Sequence, residues 1–166
     1  MSSALIEFKE IKKSFGSNQV LQGVNLSILE GVITAVIGRS GTGKSVLLKH
    51  IIGLIRPDAG MMLIRNRPME KMTRNEKHGF QKDLSYMFQD NALFDFMTVF
   101  DNIALPLKEN PRIFSNSKSS VKEKVGLRMA QLGLEGIGEK YPVELSGGMR
   151  KRVALARALV TDPKIV

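Results

Sequence analysis

The sequence contains no cysteine, only two histidines and no long hydrophobic run, and each absence excludes a class of function. Without cysteine, disulfides and thiolate metal sites are impossible, and His50 and His78 form no metal-ligand pattern with nearby carboxylates. The longest apolar stretches, such as 32–38, are far too short to cross a bilayer. The first eight residues lack the charged segment and apolar run of a secretory signal. A cytoplasmic protein is therefore the default expectation.

The composition is that of a soluble globular protein with one domain and a substantial core, since 43% of its 166 residues are apolar and 25% are charged. The net charge of +9 fits nucleic acid, anionic lipid or phosphorylated ligands, but charge alone does not choose among them. In the last stretch, one acid, Asp162, stands against five basic residues: Arg150, Lys151, Arg152, Arg157 and Lys164. We expect from this imbalance that an acidic continuation is missing.

Hydrophobic periodicity predicts strands and helices that alternate, which indicates an α/β layered fold. Strands are predicted at 5–8, 24–28, 32–37, 61–64 and 84–88. The run 32–37 is β-branched and nearly continuous in hydrophobicity, as expected for a strand buried on both faces. Helices are predicted at 45–52, 73–78, 98–105, 121–132 and 147–160, with Pro106 ending the third of them. The stretch 110–120 is rich in Ser, Asn and Pro, which predicts an exposed loop.

A glycine-rich loop after the predicted strand 32–37 matches the P-loop pattern G-x-x-x-x-G-K-[ST] and leads into a helix. Thr34, in the strand before it, is assigned no role. Glycines let backbone N–H groups curl around a phosphate, and the helix N-terminus adds partial positive charge there. Lys44 is predicted to reach the β- and γ-phosphates, and the Ser45 hydroxyl to bind Mg²⁺. A loop that merely turns a strand into a helix would need neither residue. The predicted nucleotide-binding residues are Gly38, Arg39, Ser40, Gly41, Thr42, Gly43, Lys44 and Ser45.

A second motif, Leu145-Ser146-Gly147-Gly148-Met149, stands just before a basic helix. Alone it fits an N-cap serine followed by flexible glycines equally well. Because it follows the P-loop in the right order, the chain resembles the ATP-binding-cassette (ABC) ATPases over essentially its whole length. The resemblance implies a P-loop NTPase core with an N-terminal antiparallel β subdomain. It also implies that a helical subdomain, at about 91–150, is inserted in one domain spanning 1–166.

The resemblance also implies roles for residues outside the P-loop. Phe15 matches the aromatic position that stacks on adenine in this family, although alone it fits a core or turn aromatic. Gln89 matches the glutamine that contacts Mg²⁺ and the catalytic water, although alone it fits a polar strand end. Ser146, Gly147 and Gly148 match the signature, whose serine and helix N-terminus hold the γ-phosphate of ATP bound by the opposite subunit. The implied ligands are ATP and Mg²⁺, and the implied assembly is a homodimer.

Two stretches, 89–95 and 145–152, are similar to a narrower group, the Mla-type ATPases of bacterial intermembrane phospholipid transport, also called the toluene-tolerance family. In most ABC proteins the fifth residue of the signature is glutamine, whereas here it is Met149, as in the Mla-like branch. Val46 also departs from the commoner threonine, with no evident cost to Mg²⁺ binding. The finer resemblance implies phospholipid as the transported substrate.

The carboxylates that catalyse hydrolysis in the family do not occur in this sequence. In ABC ATPases, the residues that correspond to 164–166 of this sequence open the Walker B strand. That strand ends in an Asp that orders Mg²⁺ and a Glu that polarises water. No carboxylate follows Asp162, which fits a turn, and no histidine follows His78, so the D-loop and switch histidine are missing too. We therefore expect an incomplete cassette with an unpaired apolar sheet edge and slow or absent turnover.

The leading hypothesis is the energy subunit of a bacterial ABC transporter, in which two copies enclose two ATP molecules and drive an integral-membrane permease. We expect the permease to dock near Gln89 and 91–138, with the subunit peripheral on the inner face of the plasma (inner) membrane. A second hypothesis is a DNA-repair or chromosome-organising relative with salt-dependent DNA binding. Since the sequence has no long heptad insertion, no nucleic acid is expected. A third hypothesis is a regulatory or inert fragment that binds ATP without turnover.

Overall fold

The structure, a computed structural model, describes residues 4–109 and 120–166. The chain divides between Phe80 and Gln81 into two units, each with its own apolar residues inside. The predicted loop at 110–120 lies outside the described residues except for Ser120.

The first unit is built on an antiparallel sheet with the strand order β2-β1-β3-β4. Strands β1 (Ala4–Phe15) and β2 (Asn18–Leu29) form a long hairpin, which Gly16 turns with a φ of 60°. After them come helix α1 (Lys44–Ile51) and the strands β3 (Ala59–Ile64) and β4 (Arg67–Pro68). The predicted N-terminal antiparallel β subdomain is therefore confirmed.

The core of this unit combines apolar residues of the sheet with the inner face of α1. Gly60 in β3 lies against an irregularity of β1 at Glu10, where a Cβ on Gly60 would stand 2.3 Å from the Glu10 carbonyl oxygen. With a φ of 85° as well, this position accepts only glycine without strain. The buried apolar side chains are Leu5, Ile6, Phe8, Ile11, Leu21, Leu47, Ile51, Met62, Leu63 and Ile64.

The second unit is helical. Helix α2 (Arg74–Lys82) crosses the division between the units, and α3 (Val99–Glu109), α4 (Val121–Gln131) and α5 (Gly147–Leu159) pack around one core. Helix α4 begins with a capping box, in which Ser120 and Glu123 bond each other's backbone N–H groups. The core residues are Val99, Ile103, Ala104, Leu107, Val125, Met129, Leu134, Leu145, Val153, Ala156 and Val160. None of the described helices is long and apolar enough to cross a membrane.

The two strand predictions at 32–37 and 84–88 are wrong. The run 32–37 has no regular secondary structure and is exposed, Ile33 completely. A strand buried on both faces needs hydrogen-bonded neighbours, and no described residue pairs with this run in a ladder. The predicted strand 84–88 is reduced to a single parallel bridge between Leu84 and Ile165, beside which Ser85 N–H donates to the Ile165 carbonyl at 2.8 Å.

Pro106 does not end helix α3, which continues to Glu109. Proline removes one backbone donor and crowds the preceding turn, which disfavours a helix interior. Here Leu107, after the proline, is buried in the core, so tertiary packing outweighs the local cost. The other predicted strands and helices are confirmed, although β1 and β2 are much longer than their hydrophobic patterns indicate.

Candidate functional site

The side chain of Lys44 folds back onto the backbone of the predicted P-loop. The Lys44 Nζ donates to the carbonyl oxygen of Gly38 at 2.7 Å and to that of Arg39 at 2.6 Å. The Thr42 hydroxyl donates to the same Arg39 oxygen at 2.9 Å, which closes the turn. Both partners of the ammonium group are neutral carbonyls, and a phosphate oxygen is a stronger acceptor than either. A phosphate bound in the loop would therefore attract Lys44 away from them.

Gly43 joins this loop to α1 in a conformation that requires glycine. Its φ is 91°, and a Cβ here would lie 2.8 Å from Leu21 Cδ2 and 3.0 Å from Val20 Cγ1. The Leu47 N–H donates to the Gly43 carbonyl at 2.8 Å, so α1 begins at this point. The first amides of the helix have no partner within it, and they carry partial positive charge at the loop. These features fit a nucleotide phosphate.

Ser45 lies exposed in the first turn of α1, where its hydroxyl can serve as one ligand of Mg²⁺. Among residues 4–109 and 120–166, no group of three or more His, Asp or Glu could hold a metal ion. Mg²⁺ in nucleotide sites is commonly bound by one or two protein groups together with phosphate oxygens and waters. The residues present therefore fit an ion that arrives with the nucleotide.

Phe15 ends β1 with its ring half exposed (50%). The Lys13 Nζ lies 5.6 Å from the ring centroid and donates to Asp58 Oδ1 at 2.6 Å. The Ser14 N–H donates to the other oxygen of Asp58 at 2.7 Å. These two hydrogen bonds, with that of Lys13 the stronger cause, lower the pKa of Asp58. Asp58 thus anchors the strand end that carries Phe15 and leaves the ring able to stack on a planar ligand.

Gln89 lies in an exposed turn of the second unit, which a side chain of α5 holds in place. The two residues that close the turn, Asn91 and Ala92, have left-handed backbones with φ values of 62° and 46°. The Arg157 guanidinium donates to both of their carbonyl oxygens, at 2.8 Å each, and lies 6.0 Å from the Phe94 ring centroid. Burial lowers the pKa of Arg157.

Asn102 of α3 holds the next part of the same segment. Its side chain is completely buried, and its Oδ1 accepts the Phe94 N–H at 2.9 Å. Its Nδ2 donates to the carbonyl oxygens of Phe94, Met97 and Thr98 at 3.0 to 3.1 Å. Buried amides with full hydrogen bonding stabilise one backbone arrangement, because any other leaves polar groups unpaired. The segment 91–98 is therefore fixed from two helices.

The predicted signature forms the N-terminus of α5. Ser146 is the N-cap, and its hydroxyl accepts the Met149 N–H at 3.2 Å. Gly147 and Gly148 are exposed, with open space where side chains would stand. The Arg150 guanidinium donates to the Leu145 carbonyl at 2.7 Å and steadies the chain before the cap. The first amides of a helix have no partner within it, and this helix begins at exposed residues, as an anion-binding helix terminus requires.

The predicted site residues fall into two groups. Phe15 and residues 38–45 belong to the first unit, and Gln89 and residues 146–148 to the second. Asn102 and Arg157, which hold the segment after Gln89, are not among the residues predicted from the sequence. A polar residue at helical core spacing is the signal that could have found them, since Asn102 adjoins the buried Ile103 and Arg157 lies one turn after Val153.

A protein-family model described as "ABC transporter" matches residues 21–166. The chain belongs to the ABC transporter family. It is 42% identical over 161 residues to the probable ribonucleotide transport ATP-binding protein mkl of Mycobacterium leprae, covering 97% of this chain and 46% of that protein. It is 40% identical over 161 residues to protein trigalactosyldiacylglycerol 3, chloroplastic, of Arabidopsis thaliana, covering 97% and 46%. The chain thus spans about half the length of these relatives.

The ABC ATPase fold predicted from the motifs is confirmed by solved cassettes. The dimeric post-hydrolysis state of the ATP-binding cassette MJ0796, bound to ADP and Pi, is similar with a TM-score of 0.79 and 29% identity. The likeness covers 95% of this chain and 70% of that cassette. This ABC chain therefore has the architecture of a family whose cassettes form dimers and bind nucleotide in solved structures.

Proposed function

We propose that this chain binds MgATP and serves as the ATP-binding energy subunit of a bacterial ABC transporter. The observation that carries the proposal is the position of Lys44, whose ammonium group lies within the curve of the P-loop at the N-terminus of α1. Residues 38–45 bind the phosphates through backbone N–H groups and Lys44. The exposed ring of Phe15 stacks on adenine. The Ser45 hydroxyl would be one ligand of Mg²⁺ and the Gln89 side chain another, and the ion would supply positive charge to the phosphate oxygens.

The second half of each ATP site comes from another copy of the chain. Ser146, Gly147 and Gly148 of that copy bind the γ-phosphate through the open N-terminus of α5. The likeness to a dimeric cassette supports this arrangement. For hydrolysis, Gln89 is the residue of this chain that contacts the attacking water. None of its carboxylates is proposed as the base, so slow turnover by this chain alone accords with the proposal.

The membrane partner is an integral-membrane permease that docks near Gln89 and the segment 91–138. We assign this docking role to a helical subdomain, at about 91–150, inserted in one ATP-binding domain that spans 1–166. Exposed aromatic rings at Phe94 and Phe96, with centroids 5.6 Å apart, support an apolar contact there. The subunit would then be peripheral on the cytoplasmic side of the inner membrane.

The transported substrate is phospholipid, moved between bacterial membranes. The support is Met149 in the signature together with the stretches 89–95 and 145–152, which resemble the Mla-type ATPases. The names of the two relatives differ, since one refers to ribonucleotide transport and the other to a galactolipid. In the assembled transporter, phospholipid vesicles should raise ATP hydrolysis and free ribonucleotides should not. The reverse result would remove the phospholipid assignment and leave the ATP-binding role intact.

Titration with a fluorescent ATP analogue in the presence of Mg²⁺ tests the central proposal. Replacing Lys44 with alanine removes charge-assisted hydrogen bonds worth about 1.5–3 kcal/mol, so affinity should fall about 10- to 100-fold. Lys49→Ala, an equal loss of charge at an exposed position of the same helix, should leave affinity unchanged. Equal affinity of the wild type and Lys44→Ala, or no binding by the wild type, would overturn it.

Phosphate release separates an ATPase from a chain that only binds ATP. Release that depends on Lys44 supports an enzyme, and tight binding without release supports a subunit that needs further residues or partners for turnover. Salt-dependent binding to DNA, without any effect of permease or lipid, would instead favour a nucleic-acid role.

A further inference from the structure

Arg157 has a structural environment that its position on the surface of a helix does not require. Its side chain is only partly exposed, and the part of the chain described by the structure offers it no carboxylate within ion-pair distance. Instead, its two terminal nitrogens each donate to one of two consecutive carbonyl oxygens, and the Phe94 ring lies beside it. Withdrawing a cation from water without an anionic partner costs free energy, which the two hydrogen bonds to the turn offset.

The turn that Arg157 holds is itself an unfavourable conformation. Asn91 and Ala92 are consecutive non-glycine residues with positive φ, and alanine has no side-chain hydrogen bond that favours this region. The Asn91 Oδ1 is buried and has no hydrogen-bond partner among the described residues. Such a turn persists only where its surroundings hold it. The guanidinium of Arg157, in α5, holds this turn by donating to both of its carbonyl oxygens.

Arg157 and the signature are parts of the same rigid element. Ser146 caps α5 at one end, and Arg157 lies eleven positions later, about 16 Å along the helix axis at 1.5 Å per residue. The α5 residues Val153 and Ala156 are completely buried in the core, so the helix is firmly seated. A displacement of α5 along its axis therefore acts, through Arg157, on the carbonyls of Asn91 and Ala92.

We propose that Arg157 is a positioning residue, which fixes the Gln89 turn to the signature helix so that the two move as one body. The inference rests on the proposed function, because Gln89 and Ser146 act on ATP only if the chain is an ABC energy subunit. The two terminal nitrogens of Arg157 already donate to the Asn91 and Ala92 carbonyls, so the residue acts through the Gln89 turn and not on the nucleotide. Asn102 anchors the downstream part of the segment, at 94–98, to α3. Of these two side chains, Arg157 is the one that bonds the turn at 89–92.

Hydrogen–deuterium exchange of the whole chain tests this inference. In Arg157→Ala, the amides of Asn91 and Ala92 should exchange about tenfold faster or more, whereas those of α5 and of Phe94 keep their wild-type rates. Arg157→Lys should lie between, because one ammonium group cannot hold both carbonyls in the planar fork. Lys151→Ala, an equal charge loss at an exposed position of α5, should match the wild type.

A second arm separates positioning from general stability. With MgATP, the wild type should show slower exchange at 88–92 and at the P-loop, 38–45, and Arg157→Ala should lose the protection at 88–92 while it keeps that of the P-loop. Unchanged exchange at Asn91 and Ala92 in Arg157→Ala, or faster exchange throughout α5, would overturn the positioning role. Failure of the wild type to bind MgATP would refute the proposed function, and the nucleotide-free rates would still decide whether Arg157 holds the turn.

Discussion

The His50 ring donates through Nδ1 to the carbonyl oxygen of Val46 at 2.7 Å, one helical turn earlier in α1. A carbonyl only accepts, so the proton is on Nδ1 and Nε2 is left as a bare acceptor. That Nε2 is buried and has no hydrogen-bond partner among the described residues. Burial is the largest cause that lowers the pKa of His50 below 6.5; nearby Lys13 adds to the effect, and the Val46 bond and Asp58 oppose it.

The buried His50 makes the stability of the first unit depend on pH. Because its pKa is lower in the folded chain than in the unfolded chain, the unfolded chain binds more protons between the two values. The contribution of His50 to the free energy of unfolding is therefore fully present above pH 6.5, and it declines as pH falls through 6.5 towards the pKa of the folded chain. Urea unfolding at several pH values between about 8 and 5.5 should show a falling midpoint. His50→Gln should flatten this slope, whereas His78→Gln, at an exposed position of α2, should retain it.

Gly60 should be among the least replaceable residues of the sheet. In Gly60→Ala, the new Cβ would have to lie 2.3 Å from the Glu10 carbonyl oxygen, in a left-handed conformation that already disfavours alanine. We expect a loss of more than about 2 kcal/mol in the free energy of unfolding, measured by urea titration. Gly79→Ala, in α2 with open space around it, should instead raise helix stability by about 0.5–1 kcal/mol. Equal effects of the two changes would contradict the strain argument.

Asn102 should contribute more to stability than its polar character suggests. Asn102→Ala leaves the Phe94 N–H and the Met97 carbonyl without their side-chain partner, whereas the Thr98 carbonyl keeps the backbone N–H of residue 102. We expect a cost of about 2–4 kcal/mol, because unpaired buried groups lose water without compensation. Asn75→Ala, at an exposed position of α2, is the matched control and should be nearly neutral. A neutral Asn102→Ala would mean that the segment 94–98 rearranges freely.

The hydroxyl of Ser146 has two roles that a pair of substitutions can separate. Ser146→Ala removes the cap on Met149 N–H and should destabilise α5 by about 1 kcal/mol. Ser146→Asp caps equally well and should keep stability, but it sets a negative charge against the γ-phosphate. Sedimentation with MgATP should therefore show a dimer for the wild type and a monomer for Ser146→Asp. A dimer of Ser146→Asp with unchanged nucleotide dependence would count against the shared ATP site.

The motifs of the site could be predicted from the sequence because each is local. The P-loop, the capping serine at 146 and the helices that follow them depend on residues a few positions apart, and the structure has them where the patterns indicate. The register of the β1–β2 hairpin could not be predicted from the sequence, since its irregularities near Glu10 lie against Gly60 in another strand. Local pattern contains no information about that contact.

The failures have a common cause in long-range pairing. The runs 32–37 and 84–88 have strand-like sequences, but a strand exists only where a neighbour completes its hydrogen bonds. For 84–88, the single bridge to Ile165 shows the start of such pairing across eighty-one positions of chain. Likewise, Arg157 and Ala92 are separated by 65 positions, so only the folded chain reveals the hydrogen bonds by which Arg157 holds the Gln89 turn.

The exposed run 32–37 has a consequence for how the protein behaves at high concentration. Its six residues, Val-Ile-Thr-Ala-Val-Ile, are uncharged, free of proline and rich in β-branched side chains, which is the composition of segments that form steric zippers. Such a segment, exposed and without a paired strand among the described residues, can add to the same segment of other molecules and seed fibrils. A lysine in place of Thr34 would act as a gatekeeper against this growth.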